Sequence, residues 1–149
     1  MNSKKISIGC DHGGFDLKQY LVSALKAEGF DVSDKGCFDK SSVDYPDYAK
    51  KVCLDVKADA STVGVLVCTS GIGMSIAANK IRGIRAALCL STDAGKFSRL
   101  HNNANVCCLG AKYLDCPTAL EIVKTFAATE FEGGRHARRV EKFMEFENL

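Results

Sequence analysis

The sequence lacks the long hydrophobic runs that mark membrane proteins and secreted precursors. No stretch approaches the ~18 uncharged apolar residues that a membrane-spanning helix needs. Residues 1–9 contain no apolar segment of the length found in a secretory signal. The net charge is only +2, so it predicts neither nucleic acid nor a membrane surface as a partner. Internal repeats and linkers are missing too, and 149 residues predict one domain spanning 1–149.

Paired cysteine motifs are absent, although cysteine itself is abundant. None of the eight cysteines forms a Cys-x-x-Cys pair, which argues against a zinc ribbon or a thioredoxin-like redox site. Several cysteines lie in apolar runs, such as VCCL at 106–109. A free cysteine packs as a small hydrophobic side chain. We therefore expect most of them to be reduced and buried, in a cytoplasmic protein.

Short apolar runs alternate with longer amphipathic segments along the chain. We expect strands at 5–10, 30–35, 63–68, 84–90 and 105–109, and helices at 15–28, 47–56, about 73–81, 92–101, 118–129 and about 135–147. The run at 63–68 is continuously apolar, which is typical of a strand buried on both faces. This alternation predicts α/β architecture, with a five-stranded parallel sheet between two layers of helices (αβα).

Parallel sheets bind ligands at the carboxyl ends of their strands, which directs attention to residues 68–75, here named the Cys68 loop. Its sequence CTSGIGMS joins a buried strand to a helix. Glycines at 71 and 73 allow backbone N–H groups to converge on a phosphate or a developing oxyanion. The alternative is a tight connection that needs glycine only for steric reasons. A P-loop is excluded because its lysine is missing, and a dinucleotide fingerprint because Ile76 replaces the third glycine.

Three groups of polar residues are candidates for chemistry, each with a structural alternative. Cys68 lies beside a helix N-terminus, which favours a thiolate acting as nucleophile or base; otherwise it is a buried packing residue. Asp11 and His12 end the first strand, either as polyol ligands or as a helix N-cap with a surface histidine. His101, which precedes two asparagines, is either structural or part of a hydroxyl-binding cluster.

The last predicted helix carries a run of basic residues. Successive helical residues lie ~100° apart, so Arg135 and Arg139 share a face and can grip a phosphate as a pair. Arg138 lies nearly opposite the apolar Val140, towards water. The alternative for the whole run is a solvated basic face.

Taken together, these segments resemble the ribose-5-phosphate isomerase B family, which also includes the galactose-6-phosphate isomerase subunits. The similar segments are GCDHGG at 9–14, DYP at 44–46, CTSGIGMSIAANK at 68–80, GIRA at 83–86, SRLHNNANV at 98–106 and EGGRH at 132–136. They follow the family's order and cover nearly the whole chain. The resemblance implies a Rossmann-like fold and the interconversion of an aldose phosphate and a ketose phosphate through a cis-enediolate, without metal or cofactor.

The resemblance also implies roles for individual residues. Cys68 corresponds to the general base that moves a proton between C1 and C2, His101 to the residue that opens the furanose ring, and Ser70 to part of the hole that holds the enediolate oxygen. The implied substrate-binding residues are Asp11, His12, Tyr45, Gly71, Ile72, Gly73, Met74, Ser75, Asn102, Lys112, Arg135 and Arg139. Family members are dimers or tetramers with sites at the subunit interface. His101, Asn102 and Lys112 correspond to residues that the partner chain supplies.

Two positions depart from the family pattern. Thr69 follows the cysteine where the family usually has glycine, and its Cβ restricts the backbone if φ must be positive. Lys112 stands where arginine is common, which keeps the charge but loses the bidentate fork.

Three functions therefore stand as hypotheses. The first is a ribose-5-phosphate isomerase of the pentose phosphate pathway. The second is an isomerase for galactose 6-phosphate or allose 6-phosphate. The third is a non-catalytic nucleotide- or phosphosugar-binding module, which would not need Cys68 as a base.

Overall fold

Strands and helices alternate along the chain in the computed structural model, which describes residues 4–149. The strands are β1 (Lys5–Cys10), β2 (Asp31–Asp34), β3 (Thr62–Cys68), β4 (Ala86–Leu88) and β5 (Val106–Gly110). The helices are α1 (Phe15–Ala27), α2 (Tyr45–Ala58), α3 (Ile72–Asn79), α4 (Thr92–Asn102), α5 (Cys116–Ala128) and α6 (Arg135–Met144). Short 3₁₀ turns at His12–Gly14 and Glu145–Asn148 precede α1 and follow α6.

All five strands are parallel and lie in one sheet, in the order β2-β1-β3-β5-β4. Helices α1, α4 and α5 pack together on one face, and α2 and α3 pack on the other. The predicted three-layer αβα fold with a five-stranded parallel sheet is confirmed. Because every strand runs the same way, the sheet has a carboxyl edge, where the strands end, and an amino edge, where they begin.

Strand β3 is the centre of the fold, and all seven of its residues are buried. Its side chains alternate between the two faces of the sheet. Val63, Val65 and Val67 belong to the core under α1 and α5, whereas Leu66 and Cys68 belong to the core under α2 and α3. The continuous apolar run that predicted this strand thus reflects two separate cores.

Strand β4 is shorter than the predicted span of 84–90, because the residues that pair with β5 are Ala86–Leu88. Side-chain amides bind the backbone at its start. Asn79 accepts a hydrogen bond from the Ala86 N–H (2.8 Å) and donates one to the Ala86 carbonyl (2.9 Å). Asn105 Oδ1 likewise accepts from the Arg85 N–H at 2.8 Å. Backbone groups that the sequence pattern assigns to a strand ladder are therefore bound by side-chain amides.

Two helix ends differ in an informative way. Helix α1 ends in a Schellman motif, in which the Phe30 N–H donates to the Leu25 carbonyl and the Gly29 N–H to the Lys26 carbonyl. Gly29 has φ +92°, as expected for the predicted cap. Helix α6 ends at Met144 and tightens into a 3₁₀ turn, whereas the sequence predicts one helix to about 147. Within residues 4–149, no helix has the length and apolar character required to cross a bilayer.

Candidate functional site

The Cys68 loop lies at the carboxyl edge of the sheet, between β3 and α3. The parallel register brings the ends of β1 and β5 beside it. The Asp11 N–H donates to the Val67 carbonyl at 3.2 Å, and the Lys112 N–H donates to the Thr69 carbonyl at 2.9 Å. The structure therefore brings Asp11, Cys68 and Lys112 to one edge, as the strand-end argument predicts.

Cys68 differs from the other cysteines in what its sulfur contacts. The Gly71 N–H donates to Cys68 Sγ at 3.1 Å, and the side chain is buried apart from 5% of its surface. An N–H donor and a helix N-terminus at the sulfur both stabilise negative charge on it. Burial raises the pKa of Cys10 and Cys53 to about 12 and that of Cys108 well above its ordinary value. Those thiols are packing residues.

The backbone amides of the Cys68 loop do not all face an open space. The Gly71 N–H is bound to Cys68 Sγ, the Ile72 N–H to Ser70 Oγ at 3.2 Å, and the Ser75 N–H to the Gly71 carbonyl. Among residues 4–149, the amides of Gly73 and Met74 have no acceptor. Among the amides of Gly71–Ser75, the predicted oxyanion hole therefore retains two unengaged donors, both in the first turn of α3. Met74 is buried as a whole residue, whereas Gly73 is partly exposed, so Gly73 supplies the amide that a ligand can reach directly.

Ser70 and Ser75, both assigned to the site by resemblance, already have partners in the loop. Ser70 Oγ accepts from the Ile72 amide, and the Ser75 hydroxyl donates to the Ile72 carbonyl at 2.8 Å. Both hydroxyls hold the shape of the loop, and the catalytic role of Ser70 stays a prediction.

Thr69 occupies the family's glycine position without backbone strain. Among the described residues, Asn103 is the one non-glycine residue with a positive φ, so Thr69 has an ordinary backbone. Its Oγ1 lies above Gly13, where a Cβ would come within 2.1 Å. The threonine thus packs against the segment that follows β1, and the expected restriction on φ does not arise.

Asp11 and His12 are fixed by the backbone around them. Asp11 is buried, and its Oδ1 accepts from the Gly14 N–H at 3.1 Å, which confirms the capping interpretation for one carboxylate oxygen. His12 is exposed, and its Nδ1 accepts from the Val43 N–H at 3.2 Å. Neutral His12 therefore carries its proton on Nε2, which can donate to a ligand.

Tyr45 opens α2 and lies across the first turn of α3. A Cβ on Gly73 would come within 2.7 Å of the Tyr45 ring. The ring remains 39% exposed. Tyr45 thus borders Gly73 in the first turn of α3, and its place in a substrate pocket stays a prediction.

His101 and Asn102 lie at the opposite, amino edge of the sheet. Helix α4 starts from the carboxyl end of β4 and runs back, so its last residues come just before β5 begins. The five residues of β5 separate this edge from Gly110, which pairs with Cys68. At ~3.3 Å per strand residue, that is roughly 16 Å. One chain therefore does not bring His101 to its own Cys68.

Arg135 and Arg139 belong with His101, because α6 begins at the amino edge. The Glu132 N–H donates to the Leu100 carbonyl at 3.1 Å, and His136 stacks on His101 with ring centroids 4.1 Å apart. Both arginines are exposed, while His136 and Val140 face the interior. Lys112 lies instead at the carboxyl edge. The three residues that the resemblance assigns to a partner chain thus lie at different edges.

Glu132 and His136 are residues that sequence reasoning did not select. His136 stands in a run of basic residues, and the solvated-face interpretation of that run is wrong for it, because only 6% of its surface is exposed. The signal present in the sequence was helical spacing: His136 lies one turn before the apolar Val140. Its contact with His101 is tertiary and leaves no mark in the local pattern.

Comparisons with known proteins agree on one family. The model of the family described as Ribose/Galactose Isomerase matches residues 6–143. Ribose-5-phosphate isomerase B of Escherichia coli K12 is 44% identical over 138 residues, which are 93% of each chain.

Solved structures give the same result. Ribose-5-phosphate isomerase B from Thermotoga maritima is 46% identical with a TM-score of 0.94, over 97% of this chain and 99% of that one. The Mycoplasma genitalium protein of the same name, with bound ribulose-5-phosphate, is 38% identical with a TM-score of 0.91, over 97% and 96%.

Proposed function

The chain belongs to the ribose/galactose isomerase family, as its sequence resemblance predicted, and we propose that it interconverts ribose 5-phosphate and ribulose 5-phosphate. The observation that carries this proposal is the arrangement of the Cys68 loop: a thiol with an N–H donor at 3.1 Å and two unpartnered amides in the next turn. Such a loop supplies a base and an oxyanion hole, which a module that only binds its ligand does not need.

The central step is a proton transfer at carbon. The Cys68 thiolate removes the proton from C2 of the open aldose, and the electron pair moves to give a cis-enediolate. A proton then passes from O2 to O1, and returning the first proton to C1 yields the ketose. The C–H group is a weak acid, so the base alone is insufficient and the negative charge that develops on oxygen must be stabilised.

The first turn of α3 is suited to stabilising that charge. The amides of Gly73 and Met74 have no acceptor among residues 4–149, and they lie at the positive end of the helix dipole. Gly73 is partly exposed and can donate to the substrate, whereas the buried Met74 amide adds to the positive potential of the helix end. Tyr45 shields this turn from one side. Asp11, with one carboxylate oxygen not engaged by the cap, and the Nε2–H of His12 are available to the sugar hydroxyls from the end of β1.

We assign the two remaining functions, phosphate binding and ring opening, to the amino edge of a second copy. Arg135 and Arg139 are exposed on one face of α6 and would hold the phosphate, a contact that supplies binding energy far from the reacting carbons. His101 would open the furanose ring, with Asn102 on a hydroxyl. We assign Lys112 to its own chain's edge, where it adds positive charge beside Thr69.

Because the site residues are divided between two copies, we infer a homodimer or a homotetramer. Cys68 and His101 are separated by the height of the sheet in one chain, so a complete site requires the carboxyl edge of one copy against the amino edge of another. Two exposed apolar side chains, Ile72 in the loop and Ile76 one turn later on α3, would be covered in such a contact. We further infer a reducing, cytoplasmic setting, supported by eight free thiols.

The experiment that tests the function is a comparison of kcat/KM for ribose 5-phosphate, galactose 6-phosphate and allose 6-phosphate. We expect ribose 5-phosphate to be preferred, and Cys68→Ala to lower kcat by roughly 10²–10⁴. Cys116→Ala, which alters another thiol that is not fully buried, is the control and should leave kcat unchanged. Preference for a hexose phosphate would establish the second candidate, and full activity of Cys68→Ala would reject the base assignment.

A further inference from the structure

The segment Glu132-Gly133-Gly134-Arg135-His136 docks the first turn of α6 onto the last turn of α4. Its first residue is anchored by the Glu132 N–H, which donates to the Leu100 carbonyl at 3.1 Å. Gly133 and Gly134 then turn the chain with φ of +72° and +56°. The His136 N–H closes the turn on the Gly133 carbonyl at 3.0 Å. This geometry delivers one side chain, His136, onto the ring of His101.

The imidazole of His101 contacts two aromatic rings. His136 stacks on it almost face to face, with centroids 4.1 Å apart and planes inclined by 12°. Phe97, one helical turn earlier on α4, lies at 4.9 Å with an inclination of 56°. His101 itself is half-buried. Its ring therefore has two fixed contacts, of which the one with His136 is the closer.

The surroundings of His136 keep its ring neutral. Its Nε2 is buried and has no hydrogen-bond partner. Four groups face it: His101 on α4, Glu132 in the preceding turn, and Arg135 and Arg139 on its own helix. Burial first, and then the positive charges of His101 and the two arginines, lower the pKa of His136, against the opposing effect of Glu132. A neutral ring can lie against His101 without repelling a proton on it.

Two other roles fit the geometry less well. A shared metal ion is disfavoured because the imidazoles of His101 and His136 are almost parallel, with planes inclined by 12° and centroids 4.1 Å apart. Their nitrogen lone pairs lie in the ring planes and therefore do not converge on one ion. A direct phosphate contact is also disfavoured, because His136 Nε2 is buried and lies 3.9 Å from the Glu132 carboxylate, which repels an anion.

We propose that His136 is a positioning residue, which holds the imidazole of His101 by face-to-face stacking in the orientation that acts on the sugar in a second copy's site. The proposal rests on the proposed isomerase function. This role requires a flat neutral ring that stacks on His101, and it requires no proton transfer by His136. Loss of the ring should therefore change kcat more than KM.

The test compares three variants of the full-length protein. His136→Ala removes the stack and should lower kcat roughly 10- to 100-fold with little change in KM, because small misplacements of a catalytic group have costs of this order. His136→Phe restores an aromatic face and should recover most of that loss. Val140→Ala removes a neighbouring buried side chain from the same face of α6 and should lower the melting temperature while kcat stays near the wild-type value.

Opposite outcomes overturn the proposal. Equal losses in His136→Ala and His136→Phe would show that the nitrogen, and not the ring, is required. A rise in KM at constant kcat would indicate a phosphate ligand, and an equal loss of kcat in Val140→Ala would indicate a general packing effect.

An NMR measurement separates this inference from the proposed function. The Hε1 signal of His101 experiences the ring current of His136, so it should move in His136→Ala and largely return in His136→Phe. This holds whether or not the protein isomerises ribose 5-phosphate. Absence of turnover in the wild type rejects the proposed function, whereas an unmoved His101 signal in His136→Ala rejects the stacking inference.

Discussion

At the scale of single residues, Gly71 determines whether the Cys68 loop can form. Its φ is +78°, and a Cβ there would lie 2.6 Å from Leu88 Cδ1 and 2.8 Å from the Leu109 carbonyl carbon. The same residue supplies the N–H that reaches Cys68 Sγ. The backbone conformation of the loop, its close packing on Leu88 and Leu109, and the hydrogen bond to Cys68 Sγ therefore all depend on Gly71.

We therefore expect Gly71→Ala to affect both stability and activity. The left-handed conformation costs about 1–2 kcal/mol for an L-residue, and the contact with the Leu109 backbone adds to it. Gly29→Ala is the matched control, because Gly29 has φ +92° and a Cβ added there would meet no atom within 4 Å. Thermal melts should show a larger loss for Gly71→Ala, and kcat should fall only there. Similar melts and similar kcat for both variants would contradict the role given to the loop.

How far the sequence predicts individual residues depends on whether their partners are local. The interactions of Asp11 with Gly14 and of Cys68 with Gly71 span three positions, and both agree with the predicted strand-end cap and helix N-terminus. The contact of His136 is not predictable in this way, because its partner His101 lies on another helix. A charge run is an unreliable guide when one of its members faces inwards.

At the scale of secondary structure, the central strands were easy to predict because both of their faces are buried. The edge strand β4 was predicted too long. β1 has the predicted bounds and β3 differs by one residue, since both are central and apolar. β4 is an edge strand, and its predicted length is wrong because the apolar run at 84–90 extends beyond the residues that pair with β5. Asn79 binds the Ala86 backbone on the open side. An amide side chain that binds the backbone in place of a neighbouring strand leaves no periodic pattern in the sequence.

The face of α6 leads to a prediction about its arginines. His136 and Val140 define the buried side, and Arg135 and Arg139 lie one turn apart beside it. Arg138 is equally exposed but lies on the opposite side, and is therefore a control of the same residue type and exposure. Arg139→Ala should raise KM for ribose 5-phosphate at least about 10-fold, the loss expected for a charged hydrogen bond, while Arg138→Ala should change it little. Equal effects in steady-state kinetics would reject the assignment of faces.

At the scale of the whole molecule, the sheet separates the chemistry into two sets. The carboxyl edge carries Cys68 with its amides, and the amino edge carries His101 with the α6 arginines. The strand-end rule predicted the first set from the sequence. The sequence alone does not predict which copy supplies each remaining residue, because that depends on the edge of the sheet at which each helix ends. Lys112 is an example, since it lies at the edge opposite His101.

This division predicts which inactive variants restore each other. In a two-fold dimer of Cys68→Ala with His101→Ala chains, one of the two sites combines an intact Cys68 with an intact His101. Random mixing should then recover about a quarter of wild-type activity. Cys68→Ala with Arg139→Ala should likewise gain kcat/KM over either variant alone. His101→Ala with Arg139→Ala should show no gain in kcat/KM over Arg139→Ala, because both residues come from the same edge of one chain and every site lacks one of them. The measurement is activity after the paired variants are denatured together and refolded. Recovery in the last pair would place Arg139 with Cys68, and no recovery in any pair would place the whole site within one chain.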